Sequence, residues 1–191
     1  AGNWARVRSL VTGGLRGEDV NASDSDGTRA LHWAVRADEL EVAGLLLKAG
    51  ADAAARNRLG VTPLYLAAAN GNGPMIRALL EHGANPEHVE QTGETMLMVA
   101  TRSGSADAVR ALLERGVNPN VAAPQLQLTS LMIAAETGAT DAVRVLLEHK
   151  ADIHARTRAG AVPSRRMPCI GRTGCGSHGK GIVRGGLPDQ G

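Results

Sequence analysis

The amino-acid sequence predicts an all-α solenoid of stacked helix-turn-helix repeats, on three observations. A first block recurs as "TRALHWAVRAD" from Thr28, "TPLYLAAANG" from Thr62, "TMLMVATRSG" from Thr95 and "TSLMIAAETG" from Thr129. Its anchoring leucines, Leu31, Leu64, Leu97 and Leu131, lie 33, 33 and 34 residues apart. A second block keeps step: "AGLLLKAGADA" from Ala43, "IRALLEHGANP" from Ile76, "VRALLERGVNP" from Val109 and "VRVLLEHKADI" from Val143. Self-similarity at a fixed period is the signature of a repeat architecture. The third observation is composition. The 191 residues hold no Phe, one Tyr and two Trp, too little aromatic volume for a deep globular core but enough for thin Leu/Ala layers filled by their neighbours.

Residues 1–22 contain "VRSLVTGGLRGEDVNA", which reads as the second helix and loop of a partial N-terminal repeat. Residues 23–157 divide into four repeats, at about 23–56, 57–89, 90–123 and 124–157. In the second, Thr62 is placed to cap a helix and Pro63 sits where an amide donor can be spared, so a short helix is expected to end near Asn70 and Gly71. Pro74 opens a second helix carrying Met75, Ile76, Leu79 and Leu80 at helical spacing, with Gly83 as its stop. Ala67, Ala68 and Ala69 leave room for close stacking of the first helix on its neighbours. The glycines of "GNGPM" at 71–75 belong to the turn between the helices and serve a left-handed conformation, not a phosphate cradle.

From Arg158 the phase resumes as "RAGAVP", matching "RLGVTP" at 58–63, and then stops. Residues 158–163 thus begin a degenerate fifth repeat, and the Gly/Arg-rich segment 164–191 is expected to be a disordered C-terminal tail. Two readings of the break stay open: a fragment ending in unrelated residues after about Pro163, or a natural flexible tail. Neither end supplies an obvious polar cap for the stack.

The two linked blocks resemble the ankyrin repeat, whose pattern runs near G-x-T-P-L-H-x-A-A, then a polar turn, then V-x-x-L-L-x-x-G-A-D. Gly60, Thr62, Pro63, Leu64, Ala67, Ala68, Gly71, Leu79, Leu80, Gly83 and Ala84 stand in place in the second repeat, and the resemblance covers about residues 5–157. It implies helix-turn-helix units joined by β-hairpin loops, presenting a concave face of hairpins and inner helices to a protein partner. It also implies that His32, at the TPLH position, is structural and bonds backbone around the neighbouring hairpin. Carried over position by position, the contact residues are Ser25, Asp26, Thr28 and Arg36; Arg58, Leu59, Val61, Ala69 and Asn70; Gln91, Thr92, Glu94, Arg102 and Ser103; and Gln125, Leu126, Leu128, Glu136 and Thr137.

Within that strip Leu59, Val61, Leu126 and Leu128 are the sharper signal, because exposed hairpin tips have no folding reason to be aliphatic. Arg58 and Arg102 are the polar flanks expected around such anchors. The alternative for Leu126 and Leu128, packing inside the insertion "AAPQ" at 122–125, carries equal weight.

Charge and motifs exclude several other functions. The tail from Arg158 carries a net +5, which leaves the repeat body at −3, with no basic stripe to follow a phosphate backbone. No apolar run reaches the roughly 18 residues needed to cross a membrane. Cys169, Cys175 and His178 supply three potential ligands where structural zinc takes four at tighter spacing, so no metal and no cofactor is expected. A disulfide between the cysteines would need an oxidising compartment. His82, His149 and His154 have no partner spaced as a nucleophile or its orienting acid, and Glu81, Glu114 and Glu148 recur singly with the repeat period, as a solvated face does.

The sequence therefore predicts a monomeric, non-enzymatic adaptor or scaffold that binds a protein partner, with neither nucleic acid nor membrane as its target. The alternatives are the regulatory part of a larger ankyrin-containing enzyme and a purely structural array. The compartment defaults to the cytoplasm, with export if a leader preceding Ala1 was removed.

Departures from the repeat pattern mark where the stack is soft. Arg29 and Ala30 replace Thr-Pro, Asp38 replaces the turn glycine, Gln127 replaces a hairpin glycine, and Lys150 stands where the other repeats have Gly50, Gly83 and Gly116. A left-handed Lys150 would carry strain of about 1 kcal/mol.

Overall fold

A threonine hydroxyl starts three of the four inner helices. In the computed structural model, which describes residues 4–14, 20–89, 93–125 and 127–157, Thr62 accepts the backbone N–H of Tyr65 at 3.1 Å, Thr95 that of Met98 at 3.3 Å and Thr129 that of Met132 at 3.4 Å. Each bond satisfies one of the amides that a helix start leaves orphaned. Arg29 has no such oxygen. There the His32 ring serves instead, its Nδ1 accepting the Arg29 backbone N–H at 3.3 Å.

The elements follow in order: α1 Trp4–Thr12, α2 Ala30–Arg36, α3 Leu40–Lys48, α4 Pro63–Asn70, α5 Gly73–Glu81, α6 Met96–Arg102, α7 Ala106–Leu113, β1 Ala122–Ala123, β2 Leu128–Thr129, α8 Ser130–Thr137 and α9 Thr140–Glu148. The inner helices α2, α4, α6 and α8 pack successively on one another, and the outer helices α1, α3, α5, α7 and α9 do the same. Each inner helix also packs on the outer helix that follows it. α1 rests on α3 as α3 rests on α5, so it holds the outer-helix place of a preceding unit. This is the all-α repeat solenoid that the 33-residue period predicts.

The core is a ladder with one rung per repeat. Leu31, Leu64, Leu97 and Leu131 from the inner helices and Leu46, Leu79, Leu112 and Leu146 from the outer helices are all fully buried. Burying one such side chain is worth about 1.5–3 kcal/mol, and each faces the equivalent residues of the adjacent layers. Ala67 and Ala68 are fully buried between helices, as close stacking requires, but Ala69 is exposed and takes no part in it.

Short antiparallel hairpins precede the inner helices. Ala122 pairs with Thr129 and Ala123 with Leu128, Ser23 bridges Arg29, Val89 bridges Thr95, and the Asn57 N–H reaches the Val61 carbonyl at 3.2 Å. The hairpins touch in series, as where the Arg58 N–H donates to the Asp26 carbonyl at 2.8 Å.

The turns show how firmly the stack imposes its backbone. The glycines at the helix-helix turn, at the outer-helix stop and in the hairpin hold positive φ, and each of these three series contains one residue that is not glycine. Asp38, Lys150 and Gln127 nevertheless adopt φ of 62°, 64° and 54°. Gly71, in the same turn series as Asp38, has φ 69° and is needed twice over, since a Cβ there would stand 2.8 Å from Ser103 Oγ.

Gly73 departs from the sequence expectation. It is the first residue of α5, capped by Asn72, whose side chain accepts the Met75 N–H at 2.8 Å; the helix therefore opens one residue before Pro74. The role of Gly73 is close approach and not a left-handed turn: a Cβ would strike the Asp107 side chain and lie 2.9 Å from its backbone carbonyl carbon.

Candidate hairpin and inner-helix interface

The face formed by the hairpin tips and inner helices is indented between the first two repeats. A groove of about 190 Å³ lies there, walled by Asp26 and Thr28 from the first hairpin, Asn57, Leu59 and Val61 from the second, and His32, Trp33, Arg36 and Leu66 from α2 and α4. Leu59 is 73% exposed, Trp33 is 48% exposed, and Val61 and Leu66 are half-buried. The Arg36 guanidinium lies 5.7 Å from the centre of the Trp33 ring, a cation-π contact.

His32 builds this groove from beneath. Only 2% of it is exposed. With Nδ1 accepting from Arg29, the ring proton sits on Nε2, which donates to the Val61 carbonyl at 3.1 Å. One imidazole thereby caps α2 and ties it to the next hairpin, the structural role that the TPLH position implies. Burial pushes its pKa below the ordinary imidazole value, outweighing the bond to Val61.

At the rim, Asp26 accepts the Thr28 N–H at 2.8 Å. Its pKa falls to about 2, through hydrogen bonding with the Asp24 side chain first and with Thr28 next.

The remaining contact candidates fall into three groups. Ser25, Arg58 and Glu136 are exposed, whereas Thr28 is half-buried and accepts the Asn57 side-chain amide at 3.3 Å. Others are engaged within the fold. Asn70 sends its amide to the Val35 carbonyl at 3.0 Å, Ser103 donates to the Ala100 carbonyl at 2.7 Å, Thr137 donates to the Ile133 carbonyl at 2.9 Å, and Arg102 is ion-paired with Glu94. Gln91, Thr92 and Leu126 lie outside the described residues, as do Cys169, Cys175 and His178. Leu128 is half-buried in β2 opposite Ala123, inside the insertion's own hairpin, and Gln125 is exposed.

Of the candidate cations, Arg102 lies against Glu94, and Arg36 stands beside the half-exposed ring of Trp33. Arg102 has its carboxylate already, whereas neither Arg36 nor Arg58 has an ion-pair partner among the described residues. Sequence reasoning missed Trp33 altogether. A signal existed: Trp33 follows His32 at the place taken by Leu66, Val99 and Ile133 in the other repeats, so it must share their helix face. Val99 and Ile133 are buried there, while Trp33 remains half in solvent.

Residues 45–123 and 64–157 match the family described as ankyrin repeats (3 copies), and residues 26–58 match the single ankyrin repeat. The chain belongs to the ankyrin-repeat family. Among curated proteins it is similar to neurogenic locus notch homolog protein 1 from Xenopus tropicalis, 45% identical over 49 residues, and to the Homo sapiens protein of that name, 47% identical over 49 residues. Each match spans 26% of this chain and 2% of the relative.

Ankyrin repeats are protein-interaction modules, and as domains they are generally non-catalytic. In this ankyrin array no group of three or more His, Cys, Asp or Glu side chains converges as metal ligands among the described residues. His82 and His149 each place Nδ1 2.9 Å from a carbonyl one turn back, in Ala78 and Val145, and act as helix-end contacts. Glu81 and Glu148 reach across to the neighbouring repeats' Arg115 and Arg110 at 3.8 and 3.5 Å, exposed pairs that contribute little stability. No described helix is long and apolar enough to cross a membrane.

Proposed function

We propose that this chain is a non-enzymatic adaptor or scaffold that binds a protein partner through the face of its hairpins and inner helices. The observation that carries the reading is the coincidence of Trp33, Leu59, Val61 and Leu66 on that face, Leu59 largely and Trp33 half exposed, beside arginines without a carboxylate partner among the described residues. Exposed apolar surface rimmed by polar groups is the mark of a protein interface, and Trp and Arg are the residue types in which binding energy concentrates. The outer helices expose mainly Glu, Arg and Lys, with Leu40 and Leu147 as separate, partly exposed apolar side chains.

A photo-crosslinking residue placed at Leu59, and separately at Glu114 beyond the end of α7, distinguishes the faces in the full chain. Exposed to lysate of the source organism, the residue-59 probe is expected to crosslink a discrete protein that the residue-114 probe does not. Equal crosslinking from both positions, or crosslinking from residue 114 alone, overturns the reading.

A further inference from the structure

The groove between the first two repeats specifies the chemistry of what it takes, an inference that rests on the protein-binding role above and goes one step beyond it. We propose that the groove binds a partner segment in which a large apolar side chain lies next to Asp or Glu. The apolar group seats on Trp33, Leu59 and Leu66, and its neighbouring carboxylate is taken by Arg36 with Arg58.

Three features of the site select this occupant. Its size excludes a cofactor: about 190 Å³ falls below the roughly 300–1,000 Å³ of small-molecule pockets, and suits one anchoring side chain. Its free guanidinium groups favour an acidic segment over a basic one. Arg36 and Arg58 have no ion-pair partner among the described residues, while Arg29 and Arg102 are held by Asp52 and Glu94 and Arg56 is bonded to the His88 ring. The carboxylate at the rim, Asp26, is engaged by the Thr28 N–H at 2.8 Å, and feels the Arg58 charge without closing an ion pair on it. Geometry completes the case. A guanidinium over an aromatic ring keeps the N–H groups at its edge free for a carboxylate, and the contact with Trp33 holds that edge in a defined plane. A carboxylate delivered there also meets the partly dehydrated surroundings of Trp33, where an ion pair is stronger than in open water.

The test is selection of random peptides displayed on phage against the full chain, followed by affinity measurement with the selected peptides made as synthetic, fluorescein-labelled probes. The enriched sequences are expected to carry an apolar or aromatic residue within two positions of Asp or Glu, and to lose affinity as salt is added. Leu59→Asp, and separately the Arg36→Glu/Arg58→Glu double variant, are each expected to weaken binding by about tenfold or more. These side chains are exposed, so circular dichroism and thermal melting are expected to show the variants folded like the parent. Renewed selection against the double variant is expected to enrich Lys or Arg in place of Asp or Glu. Neutral or basic peptides that still depend on Leu59 overturn the inference and leave the protein-binding role standing. If no selected peptide depends on Leu59 or Arg36, the groove is not a binding site and both readings fall.

Discussion

Lys150 occupies a position that the other repeats reserve for glycine, and replacing it with glycine tests how the stack imposes its backbone. At φ 64° a side chain pays steric strain against its own carbonyl of about 1–2 kcal/mol. Lys150→Gly removes that strain but gives the unfolded chain extra freedom worth roughly 0.5–1 kcal/mol. The expected net gain is therefore about 0.5–1 kcal/mol. Nothing else is lost: the side chain is exposed, and the backbone bonds from Lys150 N–H to the Leu147 carbonyl at 3.0 Å and from the Asn120 amide to the Lys150 carbonyl at 3.2 Å survive the change. For a domain of this size the gain corresponds to about 1–4 °C in Tm.

Because arrays unfold partly repeat by repeat, calorimetry is best joined to hydrogen exchange at the amides of α9, where slower exchange is expected. Asp38→Gly is the internal control. Asp38 accepts the Asn72 amide at 2.6 Å, so its replacement forfeits a bond and should gain less than Lys150→Gly. A Lys150→Gly protein no more stable than the parent, or one that gains less than Asp38→Gly, would refute the strain argument.

Three further outcomes follow from particular contacts. His32 has a folded pKa below its unfolded value, so the unfolded chain binds more protons and stability rises with pH. The contribution is complete above about pH 6.5 and is lost as pH falls below it; urea unfolding at pH 7.5 and pH 5.5 should show a drop that His32→Gln lacks. Asn120 clamps two loops, its amide donating to Lys150 O at 3.2 Å and its carbonyl accepting Asp152 N–H at 2.8 Å, and Asn21 spans Gly50 and Asp52 in the same way. Ala54 stands at the equivalent place one repeat after Asn21, so Ala54→Asn should install a clamp onto Gly83 and Asn85 and raise stability by about 0.5–1.5 kcal/mol in urea unfolding. Gly73→Ala should lower stability, since its methyl meets Asp107 in the next repeat; the additional change Asp107→Ala should recover only part of the loss, because the Asp107 backbone is also within reach.

What the sequence determined by itself is everything local and periodic. Thr62, Thr95 and Thr129 cap helices because a hydroxyl beside an orphan amide acts within three residues, and Leu31 and its equivalents are core because each repeat places them against the same neighbours. The departures at Asp38, Gln127 and Lys150 could be recognised in register, since the period shows which glycine each one replaces. Tertiary structure alone decided that these residues keep the left-handed backbone, because packing from adjacent repeats outweighs a strain of a kcal/mol or so. It also decided which charges are spent. Arg102 and Arg36 look alike along the chain, but Glu94 lies against one and the face of Trp33 against the other. The same holds for Asn70, whose exposed amide is tied to the Val35 carbonyl, and for Trp33, left half in solvent where Val99 and Ile133 are covered. Asn70 and Val35 stand thirty-five positions apart and meet only because the repeats stack, whereas Arg102 finds Glu94 eight positions back across its own hairpin and Arg36 finds Trp33 within one turn of α2.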